Sequence, residues 1–235
     1  MTKLKLTSLL KKRLIHLFQK IMNYKKAKLN RIIDIENYSN SFIFRDGFNQ
    51  NSIVIDVGCA EDADLSKFMI ETYDVRCYGV DPTQRHFPAL KELEKKWDGH
   101  FTHLPFAIGG EDIEIVFHES LENQSGSLRD DHTNVLNDEI NSYKVSCLTI
   151  PNLLEKHNIS KVDYFKLDIE GAEYDLINRL KEGDLDKVDQ LFLEFHHHCI
   201  PEYSLEDTKN SVKKIESLGF KSFTYDKHNY LFFKE

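Results

Sequence analysis

Carboxylates and imidazoles gather at two places in this chain, and both lie where a β-rich run gives way to a turn. Residues 162–177 read VDYFKLDIEGAEYDLI. The run from Val162 to Leu167 ends in Asp168, then Glu170 and Gly171 break it and an apolar-periodic helix begins with Glu173 in its first turn. A carboxylate at the carboxyl end of a strand in an α/β sheet faces the crevice where such folds bind ligands. A charge there needs a partner or an open cleft, so Asp168 is the residue expected to do chemistry. Acids in a first helical turn are favoured by the helix dipole alone, so Glu170 and Glu173 are expected to fix the turn and helix start. The second place is the strand Gln190–Phe195, which runs into His196-His197-His198. Glu194, His196 and His198 stand two apart, and a continuing strand puts them on one face, beside Asp168. Asp168, Glu194, His196 and His198 are thus expected to hold a divalent metal. Their mixed nitrogen and oxygen set favours Fe²⁺ or Mn²⁺, with Mg²⁺ or Zn²⁺ as alternatives. A bound divalent ion lowers the pKa of an oxygen ligand. The metal-free version of the site has His196 as general base, oriented by Glu194. Histidine runs also occur in solvated loops with no ligand at all.

A cofactor signal lies earlier. Ile53 to Ala60, IVIDVGCA, sets a buried-type strand before Asp56 and Gly58, where a ligand can approach a backbone that has no side chain in the way. The dinucleotide pattern G-x-G-x-x-G is absent, and Glu61, Asp62 and Asp64 follow instead. Those acids repel a pyrophosphate and tolerate a cation such as the sulfonium and amino groups of S-adenosylmethionine, which turns the reading away from NAD. Asp81 ends the second strand 23 residues after Gly58, a spacing at which an acid commonly accepts the ribose hydroxyls of an adenosine cofactor.

Strands alternating with helices must position these residues. The order reads as strands Ile53–Val57, Arg76–Val80, Phe101–Ile108, Ile113–His118, Tyr143–Leu148, Val162–Leu167 and Gln190–Phe195, with helices between, then two strands, Ser222–Tyr225 and Tyr230–Phe233. This predicts a mostly parallel central sheet with helices on both faces and an antiparallel C-terminal hairpin. Residues 38–52 read as polar and turn-like, and Glu122–Asp131 as a polar loop whose Ser125, Ser127, Arg129 and His132 are candidates for substrate contact. The 235 residues fit a catalytic domain, 37–235, behind a basic amphipathic helical arm, 1–36. Residues 1–31 carry ten Lys and Arg and no Asp or Glu, so this segment holds +10 and the remainder −18 of a net −8. An acidic body is a poor nucleic-acid surface. The stripe Leu6, Leu10, Leu14, Leu17 and Ile21 suits an anionic membrane surface or self-association equally well. Four scattered cysteines, with no CxxC pair, suit a reducing cytoplasm. The expected location is therefore cytoplasmic; peripheral contact at the inner face of the membrane through the arm is one alternative, and packing of the stripe on its own domain or on a second subunit is the other.

VDYFKLDIEGAE, the IVIDVG start and Leu193-Glu194-Phe195-His196 together resemble the FkbM family of S-adenosylmethionine-dependent methyltransferases over about residues 50–200. The resemblance implies a Rossmann-like class I methyltransferase fold. It places Asp56, Gly58 and Ala60 along the methionine side and Asp81 at the ribose. Phe106, Ala107 and Ile108 fall near the adenine, and Asp168 faces the methyl-transfer centre. The glycine that the family carries after Cys59-Ala60-Glu61 is replaced here by acids. The implied activity is O-methylation of a sugar hydroxyl, on a nucleotide-activated or surface-polysaccharide sugar. Arg85 and Arg129 are candidates to meet the phosphates of an activated sugar. No Asn/Asp-Pro-Pro-Tyr/Phe motif of amino methylation follows the fourth strand; Ile169-Glu170-Gly171 stands there. The alternatives are an NAD-dependent oxidoreductase and a non-catalytic cofactor-binding module.

Overall fold

The computed structural model describes residues 32–35, 41–44, 47–123, 126–224 and 226–234. The apolar stripe of the arm lies outside the described residues. The first described elements form an antiparallel hairpin, β1 (Ile32–Ile35) and β2 (Ser41–Phe44). Next come β3 (Ile53–Val57), α1 (Asp64–Tyr73), β4 (Arg76–Val80), α2 (Phe87–Lys96) and β5 (Phe101–Leu104). An accessory region follows, with β6 (Ala107–Ile108), β7 (Ile113–Ser120), β8 (Gly126–Ser127), α3 (Thr133–Asn137) and β9 (Ile140–Leu148). The chain then returns through α4 (Ile150–Lys156), β10 (Tyr164–Leu167), α5 (Glu173–Arg179), β11 (Gln190–Glu194), α6 (Leu205–Ser217), β12 (Lys221–Phe223) and β13 (Asn229–Phe233).

The central sheet has the order β12-β13-β11-β10-β3-β4-β5. Five strands from β11 to β5 run parallel, and β13 and β12 close the edge as the expected antiparallel hairpin. This is the Rossmann-like class I methyltransferase arrangement. Its strands are apolar on both faces because both are covered. Ile55, Val57, Phe165, Leu167, Leu191 and Leu193 pack beneath α4, α5 and α6. Val54, Tyr164 and Phe192 face the other way, against α1 and the hairpin. The period of two then puts Asp56 and Lys166 on that second face too, as cross-strand partners in register.

The structure corrects four boundaries. Residues 38–52 contain β2, whose Phe42 meets Phe192 edge-on at 5.7 Å and whose backbone carbonyl at Phe42 accepts from the Tyr164 hydroxyl at 3.1 Å. The hairpin also crosses the 36/37 boundary, since β1, assigned to the helical arm, is a strand paired with β2. Phe101–Ile108 is not one strand, because Pro105 offers no N–H to a ladder. β5 therefore stays in the central sheet while β6 pairs with β9 in a second sheet, ordered β6-β9-β7-β8. The loop Glu122–Asp131 contains β8, which pairs with His118 and Glu119 of β7. Among the described residues no helix is long and apolar enough to cross a membrane.

Candidate active site

A cavity of about 410 Å³ opens at the carboxyl ends of β3, β4 and β10, with β7 and β8 as its far wall. Asp56, Gly58, Ala60, Asp81, Ala107 and Ile108, six of the seven residues expected around a cofactor, line it. The seventh does not. Phe106 turns into the core and stacks on His157, with ring centroids 6.0 Å apart and planes at 24°.

The turn after β3 is built by close approach. Gly58 has φ +74°, and a Cβ there would lie 2.0 Å from the Asp168 carbonyl oxygen, so only glycine lets β3 and β10 release their ends side by side. Ala60, at φ +55°, turns its N–H onto Asp81 Oδ2 at 2.9 Å. Asp81 Oδ1 takes the Thr83 N–H at 2.8 Å. Burial works against the Asp81 anion, but the bonds from His86 and Thr83 outweigh it and hold the carboxyl below its ordinary range. A carboxylate offers about four lone-pair positions, and with Ala60, Thr83 and His86 on Asp81 the group is oriented with room on Oδ1 for a ribose hydroxyl. Opposite, Ala107 and Ile108 give an apolar wall, and Asp62 and Asp64 at the rim complement a cation. On these donors and acceptors the cavity fits S-adenosylmethionine.

Lys166 is a site residue outside those expected from the sequence. It is 2% exposed, and its Nζ reaches the Gly58 carbonyl at 3.2 Å, Asp168 Oδ2 at 3.2 Å and Asp56 Oδ1 at 3.8 Å. Burial works against its charge, and Asp168 and Asp56 outweigh burial and raise its pKa. Its signal in the sequence is a lysine inside an otherwise apolar strand, YFKL, which must find a carboxylate in the register across from it.

Asp168 and His196 meet at the open end. His196 Nε2 lies 3.6 Å from Asp168 Oδ1, 3.5 Å from Glu170 Oε2 and 4.0 Å from Glu194 Oε1. Among the described residues the ligand atoms of Asp168, Glu170 and His196 lie within 4.8 Å of one another, with Glu170 in the place that sequence reading offered to Glu194 and His198. The Phe195 N–H still meets the His228 carbonyl in register with β13, but the chain turns at His196, whose N–H goes to Glu173 Oε1 and whose carbonyl accepts from the Cys199 N–H, so strand alternation no longer carries His198 to the site. His198 packs edge-on against His228 instead, with centroids 4.7 Å apart. Glu170 is no mere turn former: it has φ +51°, its carbonyl accepts from Ser127 Oγ at 2.7 Å, and its carboxylate pairs with buried His132 at 2.9 Å. Glu173 does brace the turn as expected. Burial alone would discharge His196, yet Glu173, Asp168 and Glu170 outweigh it and raise the pKa of the imidazole. Burial and Asp168 push Glu194 up to about 7.

The loop candidates divide. Ser127 and His132 hold Glu170, while Ser125 lies outside the described residues. Arg129 forks onto Asp131 at 2.7 and 2.8 Å and also meets Glu202. Arg85 pairs with Glu119 and the Asn123 carbonyl. Both cations offered to substrate phosphates are thus already engaged with protein oxygens.

No curated protein matches the chain. Among solved structures it is similar to a fibrillarin/Nop5p complex, at 14% identity and TM-score 0.44 over 79% of this chain and 72% of that one. It is similar to precorrin-6y C5,15-methyltransferase from Geobacter metallireducens GS-15 at 10% identity and TM-score 0.43, covering 81% and 83%. It is also similar to TrmK of M. capricolum in complex with S-adenosyl-homocysteine, at 12% identity and TM-score 0.39, covering 79% and 62%. The methyltransferase FkbM domain matches residues 17–222. The chain belongs to the FkbM family of S-adenosylmethionine-dependent methyltransferases.

Proposed function

We propose that this protein transfers the methyl group of S-adenosylmethionine to a sugar hydroxyl, with a divalent cation held by Asp168, Glu170 and His196. The observation that carries this reading is the spacing around His196. Separations of 3.5 and 3.6 Å from Nε2 to two carboxylates exceed an N–H···O hydrogen bond, normally about 2.7–3.2 Å. They leave room for an ion between the donors, which stand about 3.0–3.4 Å apart on an octahedral or tetrahedral ion with bonds of about 2.1 Å. The carboxylates that favour a proton on His196 also favour a cation in its place.

The cofactor supplies an electrophilic methyl group, so that a C–O bond forms as the C–S bond breaks, and a divalent ion supplies the acidity a sugar hydroxyl lacks. The chain's residues do the rest. Asp81 anchors the ribose and the Asp56–Ala60 turn receives the methionine end, so the methyl faces Asp168. Proximity of this kind can supply about 7–11 kcal/mol of a barrier. Phe117 and Leu128 of the accessory sheet line the same cavity and keep water from its acceptor side. Glu194, whose Oε1 lies 4.0 Å from His196 Nε2 at the rim of the cluster, is the carboxylate assigned to receive the hydroxyl proton. With Arg85 and Arg129 engaged, the acceptor is read as the sugar itself, without recognition of its phosphates by these two residues. A panel of free and polymeric sugars with labelled S-adenosylmethionine tests the reading. Label transfer that stops with chelator and returns with Mn²⁺ is expected; full turnover in excess chelator refutes the metal, and label on nitrogen acceptors alone refutes O-methylation.

A further inference from the structure

Glu173 is the most deeply buried carboxylate in the site, at 0% exposure, and it does not line the cavity. Its Oε2 accepts the Gly171 N–H at 2.9 Å. Its Oε1 accepts the backbone N–H of His196 at 2.8 Å and lies 3.2 Å from His196 Nδ1. One side chain therefore joins the turn after β10, which carries Asp168 and Glu170, to the turn after β11, which carries His196. Oε1 already accepts the His196 backbone N–H, and with Oε1 as acceptor Nδ1 carries the hydrogen of that contact. The ring is thereby oriented with Nε2 toward Asp168 and Glu170.

We infer that Glu173 is a positioning residue for the cation site, orienting His196 by its Nδ1–H so that Nε2 serves as the ligand. Glu173 does not line the cofactor cavity; it acts through His196 and through the Gly171 N–H of the turn that carries Asp168 and Glu170. Metal-binding histidines commonly give their second ring N–H to a carboxylate, and loss of that partner costs about 10–100-fold in metal affinity. The inference rests on the proposed cation site and adds to it a residue expected from the sequence to fix the turn and helix start.

Its test is Mn²⁺ binding by calorimetry and pulsed electron spin resonance on the full chain, comparing the native protein with Glu173→Gln. In the native protein the ion should show nitrogen coupling from His196. In the variant, affinity should fall about 10–100-fold and the nitrogen coupling should weaken, while S-adenosylmethionine affinity stays within twofold. Glu173→Asp keeps the charge but withdraws it by one methylene, and should shift both readouts the same way if the Gln variant does not fold. Unchanged affinity and coupling in a folded variant overturn the inference alone. A parallel loss of cofactor affinity overturns it too, by showing a general structural role. A native protein that binds no Mn²⁺ refutes the cation site itself, and the inference with it.

Discussion

Replacing Gly58 by alanine strikes the contact on which the site depends. The new Cβ would lie 2.0 Å from the carbonyl oxygen and 3.1 Å from the carbonyl carbon of Asp168, both backbone atoms that cannot rotate away. An L residue at φ +74° costs about 1–2 kcal/mol, and forcing an extra methyl into a packed position costs about 1–3 kcal/mol more. A loss near 3 kcal/mol corresponds to a melting temperature lower by roughly 6–12 °C in a chain of this size. Relief requires β3 and β10 to part by about 1 Å, which displaces Asp168 from the cofactor, and a misplacement of that size can cost about 100-fold in rate. Gly219→Ala is the control, because Gly219 also has positive φ, +95°, yet nothing lies within 4 Å of its would-be Cβ. It should show the backbone cost alone and keep full turnover. Thermal unfolding and single-turnover methyl transfer measure both effects. A Gly58→Ala protein that melts and turns over like the native one would refute the close-approach argument.

Lys166→Met should destabilise the fold by about 3–5 kcal/mol in chemical denaturation, because it leaves Asp56 and Asp168 without their buried cation; a loss under about 1 kcal/mol would show that water or another group reaches them. Asp81 has a depressed folded pKa, so its contribution to stability is present above its ordinary value of 3.8 and is lost as pH falls through the lower folded value. Asp81→Asn should flatten that acid limb and weaken cofactor binding, and an unchanged acid limb in the variant would contradict the assignment. Tyr143 donates to buried Glu119 Oε2 at 2.6 Å and accepts the Gln84 N–H at 2.9 Å, tying the accessory sheet to the turn beyond Asp81. Tyr143→Phe should cost about 1–3 kcal/mol and lower cofactor affinity, whereas native affinity would show that the two regions are independent.

The strands that frame the site are legible in the sequence because an acid at the end of a buried parallel strand must open onto a crevice or find a partner, as at Asp56, Asp81 and Asp168. β2 is hidden because its four residues sit among Asn, Ser, Arg and Asp, and its Phe42 finds Phe192 only in three dimensions. The break at Pro105 is visible in the sequence, and the lack of a donor there outweighs the apolar run around it. The cluster of acids and histidine is half legible. Asp168 and His196 converge as read, but strand alternation projected past Glu194 points to His198. Glu170 is missed because an acid after a strand looks like a helix-start residue until the chain folds it back under His132. Lys166 is recoverable from pattern alone, since a lysine in YFKL pairs with Asp56 once β10 lies beside β3.

Crystals grown with S-adenosylhomocysteine and Mn²⁺, with anomalous scattering recorded for manganese, test the cation site most directly. A manganese peak bonded to Asp168, Glu170 and His196 Nε2, at the end of the cofactor cavity where the methyl emerges, is expected. A cavity holding the cofactor product with no manganese at these three residues would contradict metal-assisted transfer.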